Sequence, residues 1–262
     1  MSDTVEKFRR EQYKVVVGLA HPERVEGLMR IASVFARRQK GRIVAVSVVL
    51  VPDDGDLDHG AEYADPEALQ QSEQMVRGAE EFGAELGIAV DPIVEFAHDI
   101  ATGIANVCDR VDANMILLGF SPPETPAEGG SDVPARITER VASMTGPSLA
   151  IVSLPTDEEP ARLLIPVTAS LSDAVIRDLV KIVSLFGGAQ LTFIGLVPAG
   201  LTHEEFEVRA ANLRKKVEGV DFEEISCVDL DARDASHCLF GAEARQMAGA
   251  SHEAAFILRT NV

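Results

Sequence analysis

Val15-Val16-Val17, a run of three β-branched residues, recurs 148 residues later as Leu163-Leu164-Ile165 (163 − 15 = 148). A second run, residues 43–46, recurs as residues 191–194 at the same offset (191 − 43 = 148). A repeat of this length corresponds to one small domain that can bury a core of its own. The sequence therefore predicts a duplicated unit and two domains.

Short apolar runs alternate with amphipathic helical stretches through the first copy. The predicted strands are 13–19, 43–51, 88–96, 115–118 and 149–154. Most of these runs are continuously apolar, as expected for strands that are covered on both faces. Pro92 favours an edge position for the third strand, and the acidic residues 53–65 are predicted to form an exposed loop. Strands that alternate with helices specify an α/β fold with a doubly wound parallel sheet.

The second copy repeats this order after a polar linker at 155–160. Its predicted strands are 163–167, 190–197, 222–228 and 254–258, and its predicted helices are 172–186, 204–217 and roughly 238–248. Between the fourth strands the offset falls to 140 (256 − 116 = 140), and Val262 is reached where the first copy continues. We predict a polar N-terminal segment at 1–12, a first domain at 13–155 and a truncated second domain at 161–262. The second domain is predicted to lack the last helix and strand.

The composition of the chain argues against nucleic-acid binding, a membrane span and a disulfide or zinc framework. The chain has 262 residues, 24 Lys and Arg against 42 Asp and Glu, and a formal net charge of −18. Such a field repels nucleic acid and anionic lipid. No window reaches the roughly 18 to 20 apolar residues of a membrane span, and residues 1–12 are polar, unlike a signal sequence. Cys108, Cys227 and Cys238 lack CxxC spacing, so they favour neither a disulfide framework nor a zinc ribbon.

Two loops carry a family resemblance. The first strand ends in the short loop 18–22, and the fourth ends in Leu117-Leu118-Gly119-Phe120. With five strands and four helices, this pattern resembles a tandem universal stress protein, whose fold is of the adenine nucleotide alpha hydrolase type. The stretches 97–104 and 137–141 are similar to universal stress domains appended to prokaryotic amino-acid permeases and cation transporters. The resemblance covers the chain after Gln12.

The resemblance also implies a possible nucleotide site, which this chain alters. Family members that bind ATP carry Gly, two residues, Gly, nine residues, and Gly with Ser or Thr after the fourth strand. Glycines let backbone amides approach phosphates there. Here Gly119 supplies the first glycine, but Pro122 occupies the second position, and Gly130-Ser131 comes one or two residues early. The Asp that usually follows strand one is also missing.

The alternative interpretation, an ATP or AMP site in the first domain, uses the cleft at the ends of these strands. Its candidate residues are Gly18, Leu19, Ala20, Val49, Gly119, Phe120, Ser121, Gly130 and Ser131. In the second copy residues 166–169 again lack an Asp, and Arg259 is predicted to stand where Gly119 stands. No nucleotide is expected in the second domain.

Other reactive-looking residues have simpler explanations. His98-Asp99 at a predicted helix start is read as a helix cap, because a metal site needs further ligands. Ser236-His237-Cys238 lacks the strained turn and oxyanion loop of a nucleophile site, and catalytic partners are rarely adjacent in sequence. We therefore expect no catalytic residues, no metal and no enzymatic activity.

The preferred hypothesis is a non-enzymatic regulatory or interaction module of the universal stress type. It is expected to be cytoplasmic, without direct membrane insertion of its own, and to serve as the regulatory part of a membrane transporter, either as its partner or fused to its transmembrane region. A homodimer is expected through the strand at 149–154, because an uncovered apolar edge invites pairing. ATP or AMP binding in the first domain is the alternative.

Overall fold

The computed structural model describes residues 12–120, 133–153, 162–167, 190–198, 202–216, 224–230 and 253–259. The chain divides into two compact units. The described residues of the first unit are 12–119 and 133–150, and those of the second are 120, 151–153, 162–167, 190–198, 202–216, 224–230 and 253–259. The two strands that extend to residues 120 and 153 begin in the first unit and are described with it.

The described part of the first unit contains five strands, four helices of twelve residues or more and one short helical turn. The strands are β1 (Lys14–Gly18), β2 (Arg42–Leu50), β3 (Val90–Ala97), β4 (Met115–Phe120) and β5 (Ser148–Ser153). The helices are α1 (Val25–Arg38), α2 (Pro66–Glu85), α3 (Ile100–Val111) and α4 (Val133–Met144). A 3-10 turn, Pro22–Arg24, precedes α1.

The strands form a parallel sheet in the order β3-β2-β1-β4-β5. Val15 lies opposite Ile43 on one side and Met115 on the other. Residues 15–17 are completely buried, because helices cover this central strand on both faces of the sheet. The expected α/β fold is confirmed, and β3 lies at the edge as Pro92 predicts.

Local sequence sets where the helices begin. Asp65 accepts a hydrogen bond from the backbone N–H of Glu67 and Pro66 opens α2, which is a common arrangement at a helix start. Asp99 caps α3 in the same way through Thr102. α1 buries one face that includes Leu28, and its opposite face is charged. The helices thus present one apolar face each to the sheet.

The acidic segment differs from the sequence-based expectation. Residues 53–65 are mostly exposed, as predicted, but they also contain a 3-10 turn at Leu57–His59 and a helical turn at Gly60–Tyr63, which were not predicted. The Asp56 carboxylate accepts a hydrogen bond from the Asp58 backbone N–H at 3.0 Å, which stabilises the first of these turns. Short acidic side chains favour such local capping over an extended backbone.

The second unit contains four described strands and one described helix. These are β6 (Arg162–Val167), β7 (Gln190–Pro198), β8 (Glu224–Leu230), β9 (Glu253–Arg259) and α5 (His203–Lys216). The strands are parallel and follow the order β9-β6-β7-β8. The predicted strands are found within two residues of their expected bounds. The helices predicted at 172–186 and 238–248 lie outside the described residues.

Strand register corrects one sequence alignment. Leu163 lies opposite Leu191, as Val15 lies opposite Ile43, so the 148-residue offset holds for this pair. Leu163 also lies opposite Ala254, whereas Val15 lies opposite Met115. The fourth-strand offset is therefore 139 (254 − 115 = 139) rather than 140. The position of Gly119 is taken by Leu258, and the expectation of Arg259 there was wrong by one residue.

No helix in the described part of the chain combines the length and the apolar character needed to cross a membrane.

Candidate functional site

The strand order gives the first sheet a topological switch point at the carboxyl ends of its strands. After β1 the chain crosses to β2 on one side, and after β3 it crosses back to β4 on the other side of β1. Ligands of doubly wound sheets bind where the order reverses in this way, beyond the carboxyl ends of the strands. The carboxyl ends of β1 and β4 are therefore the candidate site.

Two glycines shape the floor of this site. Gly18 ends β1 opposite Leu118, and a Cβ at position 18 would lie 2.7 Å from Leu118 Cδ2. A Cβ at Gly119 would lie 3.3 Å from Leu28 Cδ1. Real Cβ contacts are rarely this short, so glycine lets the two strand ends pack closely while their backbones stay accessible.

The other candidate residues divide between core and surface. Leu19 and Val49 are 4% and 2% exposed, so both side chains belong to the core. The backbone N–H of Leu19 donates to the Val46 carbonyl at 2.8 Å, which extends the strand pairing beyond Gly18. Ala20 and Gly119 are exposed. Exposed backbone and small side chains therefore make up the described floor.

The remaining candidates are the last residue of β4 and three residues of the segment after it. Phe120 is the last residue of β4. Ser121, Gly130 and Ser131 lie outside the described residues. Their place in a nucleotide site stays a prediction.

Asp99 is the most highly coordinated carboxylate near this edge. It accepts hydrogen bonds from the Thr102 backbone N–H at 3.0 Å and from Thr102 Oγ1 at 2.5 Å. Arg140 approaches with both terminal nitrogens, Nη1 to Oδ1 at 3.2 Å and Nη2 to Oδ2 at 3.2 Å. The Asp99 carboxylate therefore links the start of α3 to α4.

This coordination changes the acidity of Asp99. Burial acts to raise its pKa, but the hydrogen bonds from Thr102 and the charge of Arg140 outweigh it, so the pKa is lowered. A carboxyl group with a lowered pKa is a poor proton donor near neutral pH. The arrangement indicates a structural role for Asp99, in agreement with its interpretation as a cap.

His98 and Cys108 are also held in structural roles. His98 Nδ1 lies 3.2 Å from the Val51 carbonyl, which is consistent with a ring N–H donating to the backbone. Burial raises the pKa of the Cys108 thiol to about 12, so thiolate is scarce at neutral pH. Within the described ranges, no group of three or more His, Cys, Asp or Glu side chains is arranged to hold a metal ion.

The Asp99–Arg140 pair is the feature that sequence reasoning missed. The cap at Asp99 was predictable from its place before an apolar helix, but Arg140 is 41 residues further along the chain. Its only signal was its presence in the stretch 137–141, which carries part of the family resemblance. Neither residue type nor spacing indicated the partner.

Comparison with known proteins supports the assignment of a parallel α/β fold to the first unit. A model of the universal stress protein family matches residues 13–129. No curated protein matches the chain in sequence.

The solved structures that are similar to this chain include two universal stress proteins and the cytoplasmic domain of a cation chloride cotransporter. A universal stress protein from Archaeoglobus fulgidus DSM 4304 is 14% identical, with a TM-score of 0.52 over 93% of this chain and 94% of that chain. The cytoplasmic domain of a prokaryotic cation chloride cotransporter is 12% identical, with a TM-score of 0.51 over 94% of this chain and 95% of that chain.

The third structure is a universal stress protein from Archaeoglobus fulgidus in complex with dAMP. It is 16% identical, with a TM-score of 0.40 over 53% of this chain and 96% of that chain. At such identities a structural likeness concerns the fold alone. Residues 13–129 match the universal stress protein family in sequence, and four of the five strands of the first sheet lie within them.

Proposed function

We propose that the chain is a non-enzymatic regulatory module that acts by contact with a partner protein. The partner would be a membrane transporter, with this chain as its cytoplasmic regulatory part. The likeness in fold to a cotransporter's cytoplasmic domain is compatible with this role. The stretches 97–104 and 137–141, which resemble transporter-associated stress domains, support it further.

The observation that carries the proposal is Pro122. It stands where the nucleotide-binding pattern of the family has its second glycine, three residues after Gly119. Proline has no backbone N–H to donate to a phosphate, and its ring fixes φ. A loop altered at this position is a poor phosphate cradle, which favours a scaffold that binds a protein.

The reactive groups near the edge support a non-enzymatic role. A general base or nucleophile needs a pKa tuned towards neutrality and a free approach to substrate. Asp99 is held as an anion by Thr102 and Arg140, while Cys108 is 1% exposed. Both groups act in holding α3 in place rather than in chemistry.

A second candidate function is binding of ATP or AMP at the same edge. Gly18 and Gly119 favour it, because they keep the backbone open where two strand ends meet. The pattern Gly130-Ser131 offers a hydroxyl and glycine amides further along the loop. This candidate is confined to the first unit.

Nucleotide content separates the two candidate functions. Purified protein is denatured, its supernatant is analysed for adenine nucleotide by chromatography, and the native protein is titrated calorimetrically with ATP and AMP. The regulatory proposal expects no stoichiometric nucleotide and no saturable heat. One nucleotide per chain, lost in a Gly119→Val variant, would replace it with the second candidate.

We also propose that the second unit is a tandem copy of the first and that the first mediates a homodimer. The common register of Val15 with Ile43 and of Leu163 with Leu191 supports the duplication. Light scattering at micromolar concentration tests the dimer. A monomeric mass would contradict it.

A further inference from the structure

Exposed apolar side chains concentrate in one short segment of the first unit. Among the described residues five large apolar side chains are exposed, and three of them fall within residues 50–63. They are Leu50 at 49%, Leu57 at 37% and Tyr63 at 48% exposure. Clustered apolar exposure, unlike scattered exposure, is typical of a surface that a partner covers.

The segment has a defined local structure that holds these side chains at fixed positions. The Gly55 backbone N–H donates to the Pro52 carbonyl at 2.8 Å, and that of Ala64 donates to the Gly60 carbonyl at 2.9 Å. A Cβ at Gly60 would lie 2.4 Å from the Phe96 ring, so the helical turn packs directly on β3. An ordered surface loses little conformational entropy on binding.

Tyr63 lies beside the first turn of the same segment. A Cβ at Gly55 would lie 3.1 Å from Tyr63 Cγ and 2.6 Å from Val51 Cγ1. The ring therefore packs over Gly55 with one side while nearly half of the residue remains exposed. An aromatic ring fixed in this way is well suited to anchor a partner.

The surroundings of these apolar side chains are strongly acidic. Asp53, Asp54, Asp56, Asp58 and Glu62 are all exposed. No lysine or arginine lies between Arg42 and Arg77 in the sequence. A hydrogen bond from the Asp58 backbone and another from His59 lower the pKa of Asp56, which is anionic at neutral pH.

We propose that residues 50–63, the acidic–apolar segment, form a docking surface for a basic amphipathic segment of a partner protein. Lysines or arginines of that partner would face the carboxylates, and its apolar face would cover Leu57 and Tyr63. This inference rests on the proposed regulatory function and names the chemistry of its partner. Cytoplasmic segments beside membrane spans are rich in lysine and arginine, which is the required charge.

Binding of designed peptides tests the docking surface. The probe is a labelled amphipathic peptide of about 18 residues, roughly five helical turns, with leucines on one face and lysines on the other. A second peptide keeps the lysines but replaces leucine with glutamine, and a third keeps the leucines but replaces lysine with glutamate. Fluorescence anisotropy should show tight binding of the first peptide only.

Paired variants locate the binding. Leu57→Ser with Tyr63→Ser should weaken the first peptide about tenfold or more, because truncating apolar anchors is costly. Val208→Ser, at a side chain that is 56% exposed in the second unit, is the matched control and should leave affinity unchanged. All of these side chains are exposed, so thermal unfolding should confirm that each variant folds.

The charge requirement has its own pair of variants. Asp53→Asn with Asp54→Asn should weaken binding and flatten its salt dependence. Glu80→Gln with Glu81→Gln, at exposed positions on α2, removes the same charge elsewhere and should have a smaller effect.

Two results would overturn the inference: equal binding of the glutamine peptide, which would reduce the effect to net charge, or unchanged affinity in the Leu57 and Tyr63 double variant. Its failure is separable from that of the proposed function. Stoichiometric nucleotide with intact peptide docking removes the regulatory proposal alone. No docking with no nucleotide removes the docking surface alone.

Discussion

The carboxyl edges of the two units differ at the positions that would face a ligand. In the first unit these positions hold Gly18 and Gly119, whose backbones are accessible. By strand register the second unit has Pro166 and Leu258 there (18 + 148 = 166, 119 + 139 = 258). Proline removes a donor, and leucine adds a side chain where glycine leaves space.

The two units thus share the arrangement of their strands but differ at the candidate site. The pairing of each first strand with its neighbours is the same in both units, whereas the residues at the strand ends are not. A strand that is covered on both faces tolerates few polar residues, so burial keeps the central strands apolar. The proposed nucleotide site is therefore a proposal for the first unit alone.

The largest expected effect tests whether truncation of equivalent strand residues lowers the unfolding free energy of the two units equally. Leu117 is completely buried in β4, and Leu117→Ala should lower the unfolding free energy of the first unit by about 2–5 kcal/mol. The proposed duplication gives Phe256 the corresponding position in β9 and predicts that Phe256→Ala destabilises the second unit by a similar amount. Hydrogen exchange of β2 and β7 peptides reports the units separately.

Thiol labelling provides a check on that experiment. Cys108 is buried in α3, so it should react only when the first unit opens. Leu117→Ala should accelerate its labelling, and Phe256→Ala should leave it unchanged. Acceleration by both variants would show that the units unfold together, and exchange unaffected by Phe256→Ala would contradict the equivalence of the two frames.

The next largest effect tests whether close packing at the carboxyl end of β1 requires glycine at position 18. Gly18→Val should cost about 1–3 kcal/mol, because the new side chain must displace Leu118. The cost stays moderate since the contact is with the flexible end of leucine. Gly78→Ala in α2 is the control, because its Cβ would meet nothing within 4 Å, and it should stabilise by about 0.5–1 kcal/mol. Chemical denaturation measures both, and a neutral Gly18→Val would remove the steric argument.

A smaller effect is expected at the link between α3 and α4, whose Arg140 follows the altered loop after β4. Asp99→Ala removes both the helix cap and the ion pair and should cost about 1 kcal/mol. Arg140→Gln removes only the ion pair, which is partly exposed, and should cost less, about 0.5 kcal/mol. Thermal unfolding of both variants and the double variant gives their coupling, and additivity would exclude a direct interaction.

The sequence was sufficient for the parts that depend on local pattern. The apolar run at β1, the edge strand with Pro92 and the cap at Asp99 were all predictable, because burial, missing donors and side-chain capping act within a few residues. The residue equivalent to Gly119 was missed by one position. A continuously apolar strand such as β9 lacks the alternation that would reveal its register.

The contacts that were missed arise from tertiary packing. Asp99 and Arg140 meet only because α3 and α4 are neighbours, and no residue pattern in either helix specifies the partner. The exposure of residues 53–65 was predicted, but the turns that hold Leu57 and Tyr63 in place there were not. Such features depend on which surfaces the folded chain leaves uncovered.

The smallest expected effect concerns pH and the charge on Asp99. Its pKa is lowered by folding, so the ionised carboxylate stabilises the first unit fully above the pKa of an unfolded Asp, about 3.9. That stabilisation is lost as the pH falls through the folded value. Asp99→Asn keeps the helix cap but loses the charge, and should cost a few tenths of a kcal/mol at neutral pH. The difference from the unmodified protein should shrink below about pH 4. A difference that persists unchanged at pH 3, measured by denaturant unfolding, would show that Asp99 acts through packing and that its ionic link to α4 contributes nothing.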